Sequence, residues 1–395
     1  MRAFVRFSIT PNAGQRGIVL YTSLMLLALI MTVGVQAIVS TRNNFQISSN
    51  LRAENAAFYL SEAGVEWSKN ELAHTSIHPP APLNALLTLP PGTFSVATIS
   101  TIAVSPLLSK MVVRSSGNFA SSAQVVQAEL IKRYLMADAA IGLRGNGNRA
   151  IFVGDLFAIS GMDHDPTTGK PITGVRPYAG ITVSDSGTKQ RLEAALEPVQ
   201  LARISGADRN GASIGETENL SGEAIVRLAD QLCSAGNAQP TAVPAGTSLS
   251  LADQTWGNRS VPELRCVAGS PGPGESLTIT GNSSGAGILI VRDAELVLGG
   301  AFRWEGLIIV TGSNIAFRMQ ETGSKEIIGG VIVNETAAFS ESNPPSVEVH
   351  GAIKVLFSRS ALQNAAIVVP LSALNGVYAS LPSEIVQNYW KLLTP

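Results

Sequence analysis

The chain has 395 residues, 45% hydrophobic and only 14% charged, with 37 glycines, 21 prolines and a net charge of −1. Such a length accommodates two or three domains with a sizeable core. The near-neutral balance excludes a broad basic surface, and with it nucleic acid as a principal partner, and no acidic tail signals disorder.

Residues 1–17 form a basic leader carrying Arg2, Arg6 and Arg16 and ending in Gly17. An uncharged apolar run of 22 residues follows, Ile18 to Val39. As a helix rising ~1.5 Å per residue it is long enough to cross a hydrocarbon core of ~30 Å. No small-residue cleavage site ends the run, and the helical pattern continues without proline to Ile77, so the segment is expected to be retained. The positive residues before it place the N-terminus in the cytoplasm and the rest outside, as a single-pass inner-membrane protein. One helix is expected over 18–78, interrupted only by Gly34 and Gly64 and ended by Pro79 and Pro80. In its second half Ala56, Leu60, Ala63 and Trp67 recur at helical spacing, an apolar stripe that requires a sheet to lie on. A small antiparallel sheet is expected over 79–135, from Gly92 to Ser100 and from Lys110 to Arg133, with Ser115-Ser116-Gly117-Asn118 read as a turn.

A short basic leader ending in glycine, an apolar helix starting directly after it and an amphipathic continuation resemble a type IV prepilin. Ala56-Ala57-Phe58-Tyr59-Leu60-Ser61-Glu62-Ala63-Gly64-Val65-Glu66 is similar to the Ala-Phe-x-x-x-Glu-Ala-Gly-x-Glu signature of PilX-like minor pilins. The resemblance implies cleavage after Gly17 by a prepilin peptidase and N-methylation of the new N-terminus, Ile18. It also implies partners: other pilins through the N-terminal helix, and the inner membrane before assembly. Major pilins carry glutamate at the fifth mature position, whereas here that position is Thr22. The departure resembles tip or priming minor pilins and the tip pseudopilin of type II secretion. A plain anchor for an unrelated ectodomain is the simpler reading of the apolar run alone.

Beyond Tyr134 short β-like runs alternate with glycine and asparagine, as in Ile151-Phe152-Val153-Gly154, and residues 136–200 are read as the first part of a β-solenoid. Within them Asp163-His164-Asp165 sets oxygen ligands at alternate positions. It lacks the remaining ligands of a calcium loop, so Asp163 and Asp165 are only weak metal candidates beside the reading as a solvated turn. Residues 201–275 are read as a partly helical insert in which Ser221 caps a helix with Ile225, Leu228 and Leu232 on one face. Cys233 and Cys266 are the only cysteines; outside the inner membrane they can pair, a bond the sequence leaves open.

Over 276–360 the runs after Gly287, Gly306, Gly330 and Gly351 recur at spacings of 19, 24 and 21 residues. A period near 20 with one glycine-led apolar run per period is the mark of stacked coils, and these runs form the second part of the solenoid. The stretch from Gly285 to Val310 also resembles the glycine-rich solenoid of large PilX-like pilins. Phe302 and Trp304 alternate along one strand and would share one face, as in a carbohydrate-binding platform, but are read as filling the solenoid interior. Residues 361–395 are read as a tail with a short helix. The fold class is therefore α+β, a long pilin helix on a small antiparallel sheet followed by a β-helix or β-solenoid-like domain.

The solenoid's acids, Asp293, Glu295, Glu305, Glu321, Glu326, Glu335, Glu341 and Glu348, form no recognisable pair across a cleft. The four histidines, His74, His78, His164 and His350, have no ligand spacing, and no nucleophile or phosphate motif occurs. A structural protein without a cofactor is expected, a minor pilin priming or capping a type IV pilus. The alternatives are a type II secretion tip pseudopilin and, in another class, a membrane-anchored β-helix enzyme acting on polysaccharide.

Overall fold

A computed structural model describes residues 15–208, 210–270 and 274–393. It has the expected α+β architecture. Helix α1, Gln15–His74, is 60 residues long. It ends short of Pro79 because Lys132 closes it. The Lys132 ammonium donates from Nζ to the carbonyls of Leu72 and Thr75 at 2.6 and 2.5 Å, satisfying acceptors that a helix C-terminus leaves open.

The second half of α1 lies on an antiparallel sheet of β1 (Asn84–Leu89), β2 (Gly92–Ser105), β3 (Leu108–Phe119) and β4 (Ser122–Tyr134). A fifth strand, Ser383–Leu393, comes from the other end of the chain and pairs with β4 from Ser383↔Tyr134 to Leu393↔Val125. The segment read as a tail with a short helix therefore begins with the end of helix Arg359–Ala365 and finishes as a sheet strand. Ile385, Val386, Tyr389 and Trp390 give it strong β propensity.

The solenoid is one parallel stack made from two separated pieces of chain. Its main ladder runs Gln239–Ala242, Glu263–Ala268, Asn282–Arg292, Ala301–Gly312, Lys325–Glu335, Ala139–Arg144, Ala179–Val183, Ile214–Glu216. The chain thus enters in the middle, at Ala139, and winds outward to Ile214–Glu216. Helix Gly222–Cys233 carries it back to the far end, where it winds inward until Val331–Asn334 pair with Ile141–Arg144. The segment read as a partly helical insert is largely solenoid: only Gly222–Cys233 is a substantial helix there, and Gln239–Ala268 builds the end coil. Ser221 Oγ caps that helix by accepting from Ala224 N at 3.3 Å, and Ile225, Leu228 and Leu232 are fully buried as read.

The repeat glycines differ in detail from the sequence reading. Gly287, Gly306 and Gly329, not Gly330, stand in register at the bend of three successive long strands, with φ of +124°, +130° and +143°. A Cβ on Gly306 would lie 2.1 Å from Gly287 O, so each coil sits on the bare backbone of the next. Gly351 belongs to a different corner, the turn before Ile353–Phe357. Both faces of the strands after the bend are buried, one inside the solenoid and one beneath helices Gly222–Cys233 and Arg359–Ala365. That explains continuous runs such as Leu307-Ile308-Ile309-Val310 in place of alternation. Phe302 and Trp304 are interior, 3% and 0% exposed.

Candidate functional site: the N-terminal helix and its seat

From Ile18 to Val39 every large apolar side chain of α1 is more than half exposed. This half of the helix is long and apolar enough to cross a membrane and is not buried against its own chain. Its threonine hydroxyls are satisfied internally. Thr22 Oγ1 donates to Ile18 O at 2.9 Å, Thr32 Oγ1 to Ala28 O at 2.7 Å and Thr41 Oγ1 to Ala37 O at 2.8 Å. Such back-bonding leaves none of these threonine hydroxyl hydrogens needing water, as an apolar medium requires. Gly17 and Ile18, the processing residues implied by the prepilin resemblance, lie near the start of α1. The first 14 residues of the leader lie outside the described residues.

The other half is seated tightly, on a face rotated by about one residue from the sequence reading. The fully buried positions are Ala57, Ser61 and Ser68, with Leu60, Val65 and Leu72 almost so, while Ala56, Ala63 and Trp67 are half-buried at the edge. Small residues face the sheet because the backbones nearly touch. A Cβ on Gly117 would stand 2.0 Å from Ala57 O, and one on Gly64 would stand 2.0 Å from Ser115 Oγ. Ser115 to Asn118 is therefore strand within β3, not the turn its composition suggested; Gly117 is there for close approach. Buried Ser61 and Ser68 donate to Phe58 O and Gly64 O, each at 2.7 Å. Trp390 of the C-terminal strand closes the flank, edge-on to Phe58 at 5.8 Å between ring centres.

Two polar clusters join this seat to the solenoid. Tyr378 Oη donates to Pro106 O at 2.9 Å, and its ring stacks on His78 at 5.0 Å and packs on Tyr134 at 5.1 Å. Burial lowers the His78 and Lys132 pKa values, Lys132 to about 8, and raises Tyr134 and Tyr378 to about 12. In the second cluster Glu384 accepts from Arg359 Nε at 2.9 Å and from Tyr178 Oη at 2.8 Å.

Asp163 and Asp165 are occupied with the chain itself. Asp163 is buried, accepts from Arg359 N at 2.8 Å and pairs with its guanidinium at 3.3 Å. Asp165 Oδ1 accepts from Thr168 N at 2.8 Å and Thr167 N at 2.9 Å, bonds that lower its pKa, the Thr168 bonds most. Among the described residues no group of three His, Cys, Asp or Glu has the arrangement to hold a metal ion. Cys233 and Cys266 are bonded, with Cα atoms 5.6 Å apart, tying the crossover helix to strand Glu263–Ala268. Several of the solenoid acids sit against arginines or main chain. Arg318 lies 3.2 Å from Glu295 and 3.7 Å from Glu348, Arg259 lies 2.8 Å from Glu305, and Glu335 accepts from the backbone of Asn314, Ile315 and Ala337.

Sequence reasoning missed Gly117, Lys132, Glu384 and Trp390. Their signals are weak singly: a lysine flanked by apolar residues in Leu130-Ile131-Lys132, and an aromatic pair in a β-rich C-terminal run.

No protein-family profile matches the chain, and no curated protein matches it. Among solved structures it is similar to the competence-associated pilin ComZ from Thermus thermophilus, at 12% identity over 87% of this chain and 97% of that one, with a TM-score of 0.23. The class that the chain's own geometry defines is a head of sheet and solenoid carried on one helix of membrane-spanning length.

Proposed function

We propose that this chain is a structural minor pilin, cleaved after Gly17 by a prepilin peptidase, N-methylated at Ile18, and able to prime or cap a type IV pilus while displaying its β-rich head. The observation that carries this reading is the division of α1. One half is seated on the sheet by backbone-to-backbone contact, and the other presents an apolar surface about 33 Å long, at ~1.5 Å per residue, with its threonine hydroxyls satisfied. Such a surface suits lipid first and the helices of sister subunits afterwards, since both keep it from water. Thr22 supports a rare or terminal place. Its hydroxyl is satisfied by its own helix and supplies no carboxylate to neutralise a neighbour's amine, as a repeating subunit would need in an apolar core. The engagement of Glu295, Glu305, Glu335 and Glu348 by arginine and main chain favours a structural role over glycan cleavage.

Mass spectrometry of the protein from wild-type cells tests the reading. Ile18 should be the N-terminal residue and methylated, and Gly17→Leu should leave uncleaved protein in the inner membrane and deplete it from sheared filaments. An intact leader in wild-type cells, or normal filament incorporation of Gly17→Leu, would overturn it.

A further inference from the structure

The solenoid and the helices covering it neutralise their arginines carefully: Arg144, Arg203, Arg227, Arg259, Arg265, Arg292, Arg303, Arg318 and Arg359 each have a carboxylate oxygen within 4.0 Å. Arg149, Arg176 and Arg191 do not have one within that distance among the described residues, and of these Arg149 and Arg191 line the same cavity of about 360 Å³. The cavity lies between helix Ser186–Ala195, strand Ala150–Val153 and the segment around Phe339 and Glu341.

Both guanidiniums are held in place by uncharged partners. Arg191 lies over the Phe339 ring, 4.1 Å from its centre, and donates at 2.8 Å from Nη2 to Thr188 Oγ1, whose hydroxyl in turn donates to Asp185 Oδ2 at 2.7 Å. Arg149 donates from NH1 to the carbonyls of Glu341 and Asn343 at 3.1 and 3.3 Å. Asp185, behind Thr188, shares part of the Arg191 charge. Each guanidinium keeps further N–H groups free of direct carboxylate contact, with part of its rotamer freedom already lost. That is the preorganised state in which a planar fork binds a carboxylate well. The rest of the lining is mixed, with apolar Leu143, Ile151 and Leu192 beside the Thr188 hydroxyl. A cavity of this size and polarity matches one sugar ring, whose faces are apolar and whose edges carry hydroxyls.

We infer that Arg149 and Arg191 form an anion-recognition site on the solenoid flank that takes a carboxylate-bearing sugar, a hexuronate unit of an acidic polysaccharide. Glu341 is the one acid on the lining and opposes the ligand, tuning the site to weak, reversible contact. The site binds without cleaving, and its operation does not depend on whether the N-terminal helix is processed.

The test is equilibrium binding of the full chain, in detergent, to galacturonate oligomers, with galactose oligomers and a hexose phosphate as comparisons. Galacturonate oligomers should bind, the neutral oligomers should not, and the hexose phosphate should bind more weakly. Arg191→Gln and Arg149→Gln should each weaken galacturonate binding about tenfold or more, since each removes charge-assisted hydrogen bonds. Arg191→Lys, which keeps charge but not the fork, should also weaken it. Glu341→Gln should tighten it, and this variant keeps the proposal falsifiable if the arginine variants fold poorly. No binding of galacturonate, equal binding of galactose oligomers, stronger binding of the hexose phosphate, or unchanged affinity in Glu341→Gln would each overturn it.

Discussion

Replacing Gly306 by alanine probes the bare-backbone contact between coils. Two costs add. Gly306 has φ of +130°, and an L side chain held in such a sparsely populated region costs about 1–3 kcal/mol. Its Cβ would stand 2.1 Å from Gly287 O and 2.9 Å from Ala365 Cβ. Relief requires two coils to separate, and overpacking of this kind costs a further ~1–3 kcal/mol. The sum, about 2–6 kcal/mol, corresponds to a fall in Tm of roughly 5–20 °C for a cooperative unit of this size. Gly154 is the control: its φ is +75°, but nothing lies within 4 Å of its added Cβ. Gly154→Ala carries only the left-handed penalty, partly offset by a less flexible unfolded chain, and should lose about 1 kcal/mol or less. Thermal unfolding of both variants in detergent, followed by circular dichroism, separates the contact from the conformational cost. Equal shifts in the two variants would refute the claim that coil-to-coil approach demands glycine.

Gly117→Ala should lift the second half of α1 from the sheet, because the added Cβ meets Ala57 O at 2.0 Å. Hydrogen exchange should rise in α1 from Ala57 to Leu72 while the solenoid stays protected, and unchanged exchange in the helix would count against the seat as described. Breaking the Cys233–Cys266 bond with Cys233→Ser opens a loop closed over a sequence separation of 33, a loss of about 3–4 kcal/mol on a chain-entropy estimate. Exchange should increase first in the end coil around Gln239–Ala268, and uniform destabilisation would show that the bond does not serve that coil. Burial holds Lys132 at about 8 in the folded protein, against about 10.4 in an unfolded chain. Between those values the unfolded chain binds more protons at this site, so stability should rise from pH 8 towards about pH 9.5, on the order of 1–2 kcal/mol. Above that Tyr134 and Tyr378, which burial keeps protonated beyond the range of an unfolded tyrosine, begin to oppose it. Lys325, also lowered by burial, adds in the same direction as Lys132. Denaturant midpoints across that range, with Lys132→Met as comparison, check the sign; a fall in stability would mean that the helix carbonyls hold the ammonium more firmly than burial disfavours it.

The local features were legible in the sequence and the long-range ones were not. The apolar run, the hairpin strands, the Ser221 cap and the glycine-led coils all declare themselves within about 20 residues, because they reflect periodicity and capping. The seat of α1 was misread by one residue since Ala57, Ser61, Gly64 and Ser68 are small rather than apolar, and a hydropathy stripe ignores the requirement for closeness. Ser115 to Asn118 looked like a turn for the same reason. The joining of the two solenoid pieces could not be read, as Ile141 and Val331 are far apart in sequence and nothing in either run names its partner. The continuity of runs such as Ile288-Leu289-Ile290-Val291 did carry a signal, burial on both faces, which implied helices packed outside the stack. For Arg149 and Arg191 only the folded chain reveals that both lack a carboxylate and share a cavity.

The mid-stack entry at Ala139 sets a timetable for synthesis. Ala139–Arg144 leaves the ribosome long before Val331–Asn334, the strand it rests on, an interval on the order of ten to forty seconds at usual elongation rates. The outer edge of β4 waits longer still, until Ser383–Leu393 has been made. Through that interval two strand borders with strong β propensity stand open to neighbours. Until they pair, those borders are the places where a nascent chain of this design is open to aggregation, and loss of Ser383–Leu393 removes the strand that seals the sheet.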